Sequence, residues 1–212
     1  FQEYGSFRKG SNFIAEKIGD DESKVLIISS HIDSVQNSGA NDDGTGTISA
    51  LAIAKALNKY RSKYTLRVLG FDQEEIGLVG SKAYVKSLNK NELIGDIQLE
   101  MMGTNTRKDG VFHVIDCDKS HSTFLTNSIA QAIVDNNIDL KINKACTTRS
   151  DHAKFWDANL PAVVLSENFF GGDSDKCYHK KCDILDSRID FNYIEKITKA
   201  VAYSVKNLIE AY

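Results

Sequence analysis

Leu66-Arg67-Val68-Leu69-Gly70-Phe71-Asp72-Gln73-Glu74-Glu75 reads as a hydrophobic strand, residues 66–71, that runs into two adjacent carboxylates. Packing gives no reason for those acids. Adjacent side chains on an extended backbone point to opposite faces, so a Glu-Glu pair at a strand end can divide two jobs, one ligating a metal while the other handles a proton. By themselves the two glutamates read more readily as acids of an exposed loop. Four other stretches carry the remaining residue types of such a site and reverse that reading: His31-Ile32-Asp33, Asn41-Asp42-Asp43-Gly44, Leu99-Glu100-Met101 and Cys177-Tyr178-His179.

Outward from this strand the pattern of strand, acid-bearing loop and helix recurs. Val25-Leu26-Ile27-Ile28 is a continuous apolar run of the kind buried on both faces of a sheet, and it delivers His31 and Asp33 to its C-terminal end, where open α/β sheets bind ligands. Residues 33–46 are rich in Ser, Asn, Gly and Asp and form a loop; residues 47–57 are a small-residue helix suited to close packing on a sheet. A helix follows at 81–88, a third strand at 97–101 ending near Glu100, a strand at 111–115, a helix at 123–134 and a buried strand at 161–165 after the single proline. Earlier, Phe13-Ile14-Ala15 suggests an edge segment. Ile194, Ile197, Val201, Val205 and Leu208 recur at helical intervals and predict one amphipathic closing helix over 193–209. Alternating strands and helices predict an α/β fold, a three-layer α/β/α sandwich around a mainly parallel, mixed central sheet.

With 212 residues, 42% of them hydrophobic, the chain suffices for one domain, 1–212, with a substantial core. A net charge of -3 offers no basic field for nucleic acid or an anionic membrane surface, and no apolar run approaches the ~20 residues of a membrane span. No signal peptide opens the chain and Phe1 is not an initiator Met, which suggests a processed or trimmed N-terminus. Cys177 and Cys182 are close enough to close a small loop, a disulfide in an exported protein and free thiols otherwise, whereas Cys117 and Cys146 stand isolated.

Should the strand ends converge, His31, Asp42, Glu75, Glu100 and His179 would place two imidazoles and three carboxylates around one point. Such a cluster repels itself unless divalent cations neutralise it. Imidazole and carboxylate without thiolate is a donor set that zinc accepts in catalytic sites; manganese or cobalt also fits. Five ligands are too many for one tetrahedral ion with an open position, and two ions sharing a carboxylate use them all.

The set His31-x-Asp33, Gly39-Ala40-Asn41-Asp42-Asp43-Gly44, Asp72-x-Glu74-Glu75-x-Gly77-Leu78-x-Gly80-Ser81, Leu99-Glu100-Met101-Met102-Gly103 and Cys177-Tyr178-His179-Lys180-Lys181-Cys182-Asp183 resembles the co-catalytic zinc aminopeptidases of peptidase family M28. The resemblance implies a zinc-exopeptidase fold and two zinc ions: His31 and Glu100 on the first, Glu75 and His179 on the second, and Asp42 bridging them. It implies Glu74 as the general base, Asp33 and Asp43 as supports of the ligands, and a cis bond between Asp42 and Asp43. Arg149 and Tyr178 would hold the scissile carbonyl and its oxyanion, with Asp151 and His152 beside the substrate. The substrate would be a peptide with a free N-terminus.

Where most members of that family carry Asp, this chain has Glu100, one methylene longer, which bears on the first metal position. A disulfide between Cys177 and Cys182 would fix the loop presenting His179 and would suit a secreted or periplasmic enzyme. A glutaminyl-cyclase-like acyltransferase with a single zinc, another peptidase of the superfamily, and a binding domain of the same fold are the competing readings. Arg149 also reads as a surface ion pair with Asp151 or Asp157, Tyr178 as a packing tyrosine, and His113 and His121 as structural or exposed histidines. Oligomeric state is not legible.

Overall fold

The computed structural model describes residues 1–5 and 9–210. Its strands are β1 (Gln2–Tyr4), β2 (Gly10–Lys17), β3 (Asp21–His31), β4 (Tyr64–Phe71), β5 (Leu93–Leu99), β6 (Val111–Ile115), β7 (Lys141–Asn143) and β8 (Ala162–Glu167). Its helices are α1 (Gly44–Leu57), α2 (Val79–Ser87), α3 (Thr123–Asp135), α4 (His152–Asp157) and α5 (Phe191–Glu210). The strands form one sheet in the order β1-β2-β4-β3-β5-β8-β6-β7. The central run β4-β3-β5-β8 is parallel, and antiparallel pairs β2 with β4 and β6 with β8 flank it.

Because a strand alternates its side chains between faces, the apolar run of β3 feeds two cores at once. Leu26 and Ile28 join the larger core with Ile53 of α1, Ile129 of α3 and Val201 of α5. Val25 and Ile27 join the smaller core with Tyr84 of α2 and Phe155 and Trp156 of α4. Each large apolar side chain so buried contributes roughly 1.5–3 kcal/mol. The predicted stripe on the closing helix is the face that packs: Ile194, Ile197, Val201 and Val205 are buried in α5.

Two boundaries differ from expectation in ways that matter for the site. β3 runs through His31, so this histidine is held by the sheet and stands level with Phe71 of β4. Helix α1 begins at Gly44 rather than Thr47, because the Asp43 carboxylate accepts the Gly46 N–H at 3.0 Å and caps it. β1, β7 and α4 went unforeseen; elements of three to six residues are too short to display a period.

Candidate active site

The parallel order β4-β3-β5 brings three C-terminal strand ends side by side, and these ends deliver most of the polar cluster. His31 is almost wholly buried. Its Nδ1–H donates to the Asp33 carbonyl oxygen at 3.0 Å. That leaves Nε2 facing two carboxylate oxygens, Asp42 Oδ1 at 3.0 Å and Glu100 Oε1 at 3.4 Å. The other oxygen of Asp42 faces a second imidazole: His179 Nε2 lies 3.2 Å from Asp42 Oδ2 and 3.0 Å from Glu75 Oε2. One aspartate thus stands between two similar groupings of an imidazole and a further glutamate.

The loop that carries Asp42 is held from below. The Asp42–Asp43 peptide is cis. Asp43 is buried; its Oδ1 accepts the N–H groups of Gly46 and Met101, each at 3.0 Å, and its Oδ2 accepts that of His31 at 3.2 Å. Asp183 accepts the N–H groups of Asn41 and Asp42 at 2.8 and 3.2 Å. Asp183 follows the loop bearing His179, so one short segment positions both a histidine and the shared aspartate. Cys177 and Cys182 are joined across that segment.

Glu74 and Glu75 do not extend a strand, which corrects the expectation of alternation at a strand end. β4 stops at Phe71, and Gly77 N–H and Leu78 N–H both return to the Glu74 carbonyl at 2.9 Å, closing a turn. Their separate directions come instead from Asp33, whose two oxygens accept the N–H groups of Glu74 (3.0 Å) and Glu75 (3.2 Å). Asp33 therefore fixes both glutamates and touches His31. Burial, together with the Glu100 carboxylate, pushes Glu74 up to about 9. Burial and the Asp42 carboxylate push Glu75 up to about 7. His31, which burial alone would lower, is held well above the ordinary range by Glu100, Asp33 and Asp42.

Glu100 lies just past β5, and its extra length is accommodated by two donors. Its Oε2 accepts from Ser150 Oγ at 2.6 Å and Gln98 Nε2 at 3.2 Å, which turns Oε1 toward His31. Sequence reasoning missed Gln98 and Ser150. The signal for Gln98 was available: an amide two residues before an acid on one strand shares its face. Asp183, four residues past His179, and Asn41, whose side-chain oxygen accepts the Gly103 N–H at 2.8 Å, went equally unassigned.

Among the remaining expected contacts, Arg149 Nη2 donates to the Tyr178 hydroxyl at 3.2 Å, and the Tyr178 ring stacks on His179 at 3.8 Å. Burial pushes the Tyr178 phenol up to about 12, so it keeps its proton at neutral pH. Neither Asp151 nor His152 has surface to offer a substrate, which corrects that expectation. The Nδ1 and Nε2 of His152 lie 3.2 and 3.1 Å from Gln98 Oε1 and the Thr147 carbonyl, to one of which the neutral ring donates, and burial holds it down at about 4. Asp151 stands at the N-cap of α4, but its side chain makes no capping bond, and its oxygens lack hydrogen-bond partners of good geometry among the described residues. Cys117 and Cys146, read as isolated, form a second disulfide that ties the end of β6 to the loop bearing Arg149. Beside Glu100 and Tyr178 opens a mainly apolar cavity whose walls include Met101, Ile115, Val164, Phe169 and Phe170.

The donor set fits divalent cations on three observations. The Nε2 atoms of two histidines each face two carboxylate oxygens, a grouping that needs positive charge at its centre. Ligands of a tetrahedral ion at ~2.0–2.2 Å stand roughly 3.3–3.6 Å apart, close to the 3.0–3.4 Å between each histidine Nε2 and its two carboxylate oxygens, and the ligand atoms of His31, Asp42 and Glu75, like those of His31, Asp43 and Glu100, all lie within 4.8 Å of one another. Asp42 Oδ2 and Glu75 Oε1 are buried and accept no hydrogen bond of acceptable geometry among the described residues.

Three comparisons bear on these residues. The profile of peptidase family M28 matches residues 12–205. Leupeptin-inactivating enzyme 1 of Streptomyces exfoliatus is 32% identical over 94% of the chain and 48% of its own length. Leucine aminopeptidase 2 of Arthroderma otae is 31% identical over 91% of the chain and 43% of its own length. BSAP, a zinc aminopeptidase from Bacillus subtilis, superimposes with a TM-score of 0.87 at 25% identity, covering 96% of the chain and 51% of that structure. The chain spans about half the length of the curated relatives it matches.

Proposed function

The chain belongs to peptidase family M28, and on that premise we propose that it is a zinc-dependent aminopeptidase acting on peptides with a free N-terminus. The observation that carries the reading is the division of Asp42 between His31 and His179, with one glutamate completing each grouping. His31, Asp42 and Glu100 would hold one zinc ion, and His179, Asp42 and Glu75 the other. Zinc bound there would supply Lewis acidity, polarising a carbonyl and making water more acidic near neutral pH.

The chain's own residues divide the rest of the chemistry. Glu74 takes the proton of the attacking water and returns it to the leaving amine. By the chain's own charges Glu74 sits too high to act as a base at neutral pH; positive charge brought into the site lowers it, so ion binding and basicity are linked. Arg149 donates to the Tyr178 oxygen, which frees the Tyr178 O–H for the oxyanion of the tetrahedral intermediate. The surplus of carboxylates suits the substrate's ammonium, and the apolar cavity suits an uncharged N-terminal side chain. Two disulfides support folding in an oxidising compartment.

The test is zinc content per chain after gentle purification, paired with hydrolysis of a leucine anilide with and without chelator. Two equivalents and chelator-sensitive release are expected. One equivalent without release would favour a single-zinc acyltransferase, and no metal with no release would favour a binding domain.

A further inference from the structure

Strand β6 carries two inward residues with different fates. Ile115 lines the apolar cavity beside Glu100. Two residues earlier, and therefore on the same face, His113 lies wholly buried beneath the turn Phe169–Gly171. Its ring is used completely. Nδ1–H donates to the Asn143 carbonyl on β7 at 2.8 Å, and Nε2 accepts the Phe170 N–H at 3.1 Å. The Asn143 side chain adds a second tie, donating to Asn168 Oδ1 at 3.0 Å. Burial keeps His113 below the ordinary histidine range, so the ring is neutral and Nε2 is free to accept.

That turn is where the cavity gains its largest apolar side chains. Met101 and Ile115 on the other walls stand on or just past sheet strands, whereas Phe169 and Phe170 stand on a short turn whose position depends on what anchors it. The anchoring reaches further than the cavity. The Phe169 ring meets the Tyr178 ring edge-on at 5.5 Å and lies 6.0 Å from the Arg149 guanidinium, so the turn borders the site itself.

We propose that His113, with Asn143, positions the wall formed by Phe169 and Phe170 and thereby sets the size of apolar N-terminal side chain the cavity accepts. His113 touches no substrate; it is a positioning residue. The inference rests on the aminopeptidase reading for its substrate and on hydrogen bonds outside the ion-binding groupings for its mechanism. It makes selectivity a property of the far edge of the sheet.

The experiment compares anilides of alanine, leucine and phenylalanine in the wild type, His113→Leu and His113→Gln. Leucine removes the acceptor for the Phe170 N–H, while the glutamine side-chain oxygen can replace it. Expected for His113→Leu is a loss of about tenfold in kcat/KM on the leucine and phenylalanine anilides, carried by KM, with the alanine anilide changed less than about twofold and zinc content unchanged. Recovery in His113→Gln completes the case. Equal losses on all three anilides, or none, would overturn it. Should His113→Leu not fold, Asn143→Ala at the half-buried sheet edge is expected to shift the same ratio in the same direction, and an unchanged ratio overturns the proposal. If the wild type cleaves no anilide, the aminopeptidase reading fails on its own. Exchange of the Phe170 amide then decides the tie: faster in His113→Leu and restored in His113→Gln supports it, and no difference ends it.

Discussion

The two imidazoles that share Asp42 are held by opposite means. His31 ends a central strand, is 1% exposed, and has both ring nitrogens engaged by groups within the fold. His179 stands on a loop, is 40% exposed, and rests its ring on Tyr178. The first grouping inherits its geometry from the sheet register; the second depends on a loop closed by a disulfide, while Asp183 steadies the Asp42 that both share. Two positions of similar chemistry therefore differ in rigidity. The sheet-held position is expected to keep its ion more tightly and the loop-held one to load last and leave first.

The largest effect should come from the residue both halves serve. Glu74→Gln keeps the Asp33 contact, which is made through the backbone N–H, and so should retain both ions and the fold while losing roughly 10²–10⁴-fold in turnover. Near-normal hydrolysis by this variant would remove Glu74 from its role and leave the comparison without a shared centre. Next come the histidines themselves. His179→Ala opens onto solvent, where water can replace the imidazole, so about one zinc per chain should remain. His31→Ala instead leaves the Asp42 and Glu100 carboxylates facing each other in a buried space, and should lose most zinc along with roughly 3–5 kcal/mol of stability. Indistinguishable zinc content and melting in the two variants would dissolve the distinction.

The disulfides sharpen the comparison by separating stability from ion binding. Cys117 and Cys146 are 29 residues apart and Cys177 and Cys182 only 5, so chain entropy gives the longer link about 3.5 kcal/mol and the shorter about 2 kcal/mol. Cys117→Ser should thus lower the melting temperature more than Cys177→Ser. Zinc retention should rank the other way, because only the shorter link spans His179. One variant that is worse on both measures would mean that the loop-held position does not depend on its own staple.

The same division explains what the sequence disclosed. The buried run 25–28, the stripe on α5 and the small-residue helix α1 showed their periods because burial imposes them, and His31, Asp33, Glu75 and Glu100 followed as acids and imidazole at the ends of such runs. The supports did not show. Ser150 and Asp183 act through hydrogen bonds between segments 50 or more residues apart, and no spacing marks such partners, whereas Gln98 stands only two residues before the Glu100 it supports. The pairing of Cys117 with Cys146 depends on β6 and β7 being neighbours, a fact of topology. Asp151 and His152 were misplaced for the converse reason: adjacency to Arg149 in sequence suggested a shared surface, whereas the start of α4 turns both inward.

Asp151 also yields the smallest predicted effect. It is wholly buried with no hydrogen-bond partner for either oxygen among the described residues, and burial, reinforced by the Glu100 and Asp33 carboxylates, pushes it up to about 7. A carboxyl whose folded value exceeds its unfolded value of about 4 binds more protons in the native state. Its contribution is complete below pH ~4 and is lost as the pH rises through about 7. Chelator-treated protein should therefore become easier to unfold with denaturant as the pH rises from about 4 through about 7, and Asp151→Asn, which cannot ionise, should show a shallower decline. The two proteins should converge at pH ~4 and be fully separated above about 7, with the variant the more stable. The same series in zinc-loaded protein should show a weaker dependence, because cations held by Glu100 and its neighbours favour the ionised form. A parallel decline in both proteins would assign the pH dependence to the His31 and His179 groupings and make Asp151 a bystander to them.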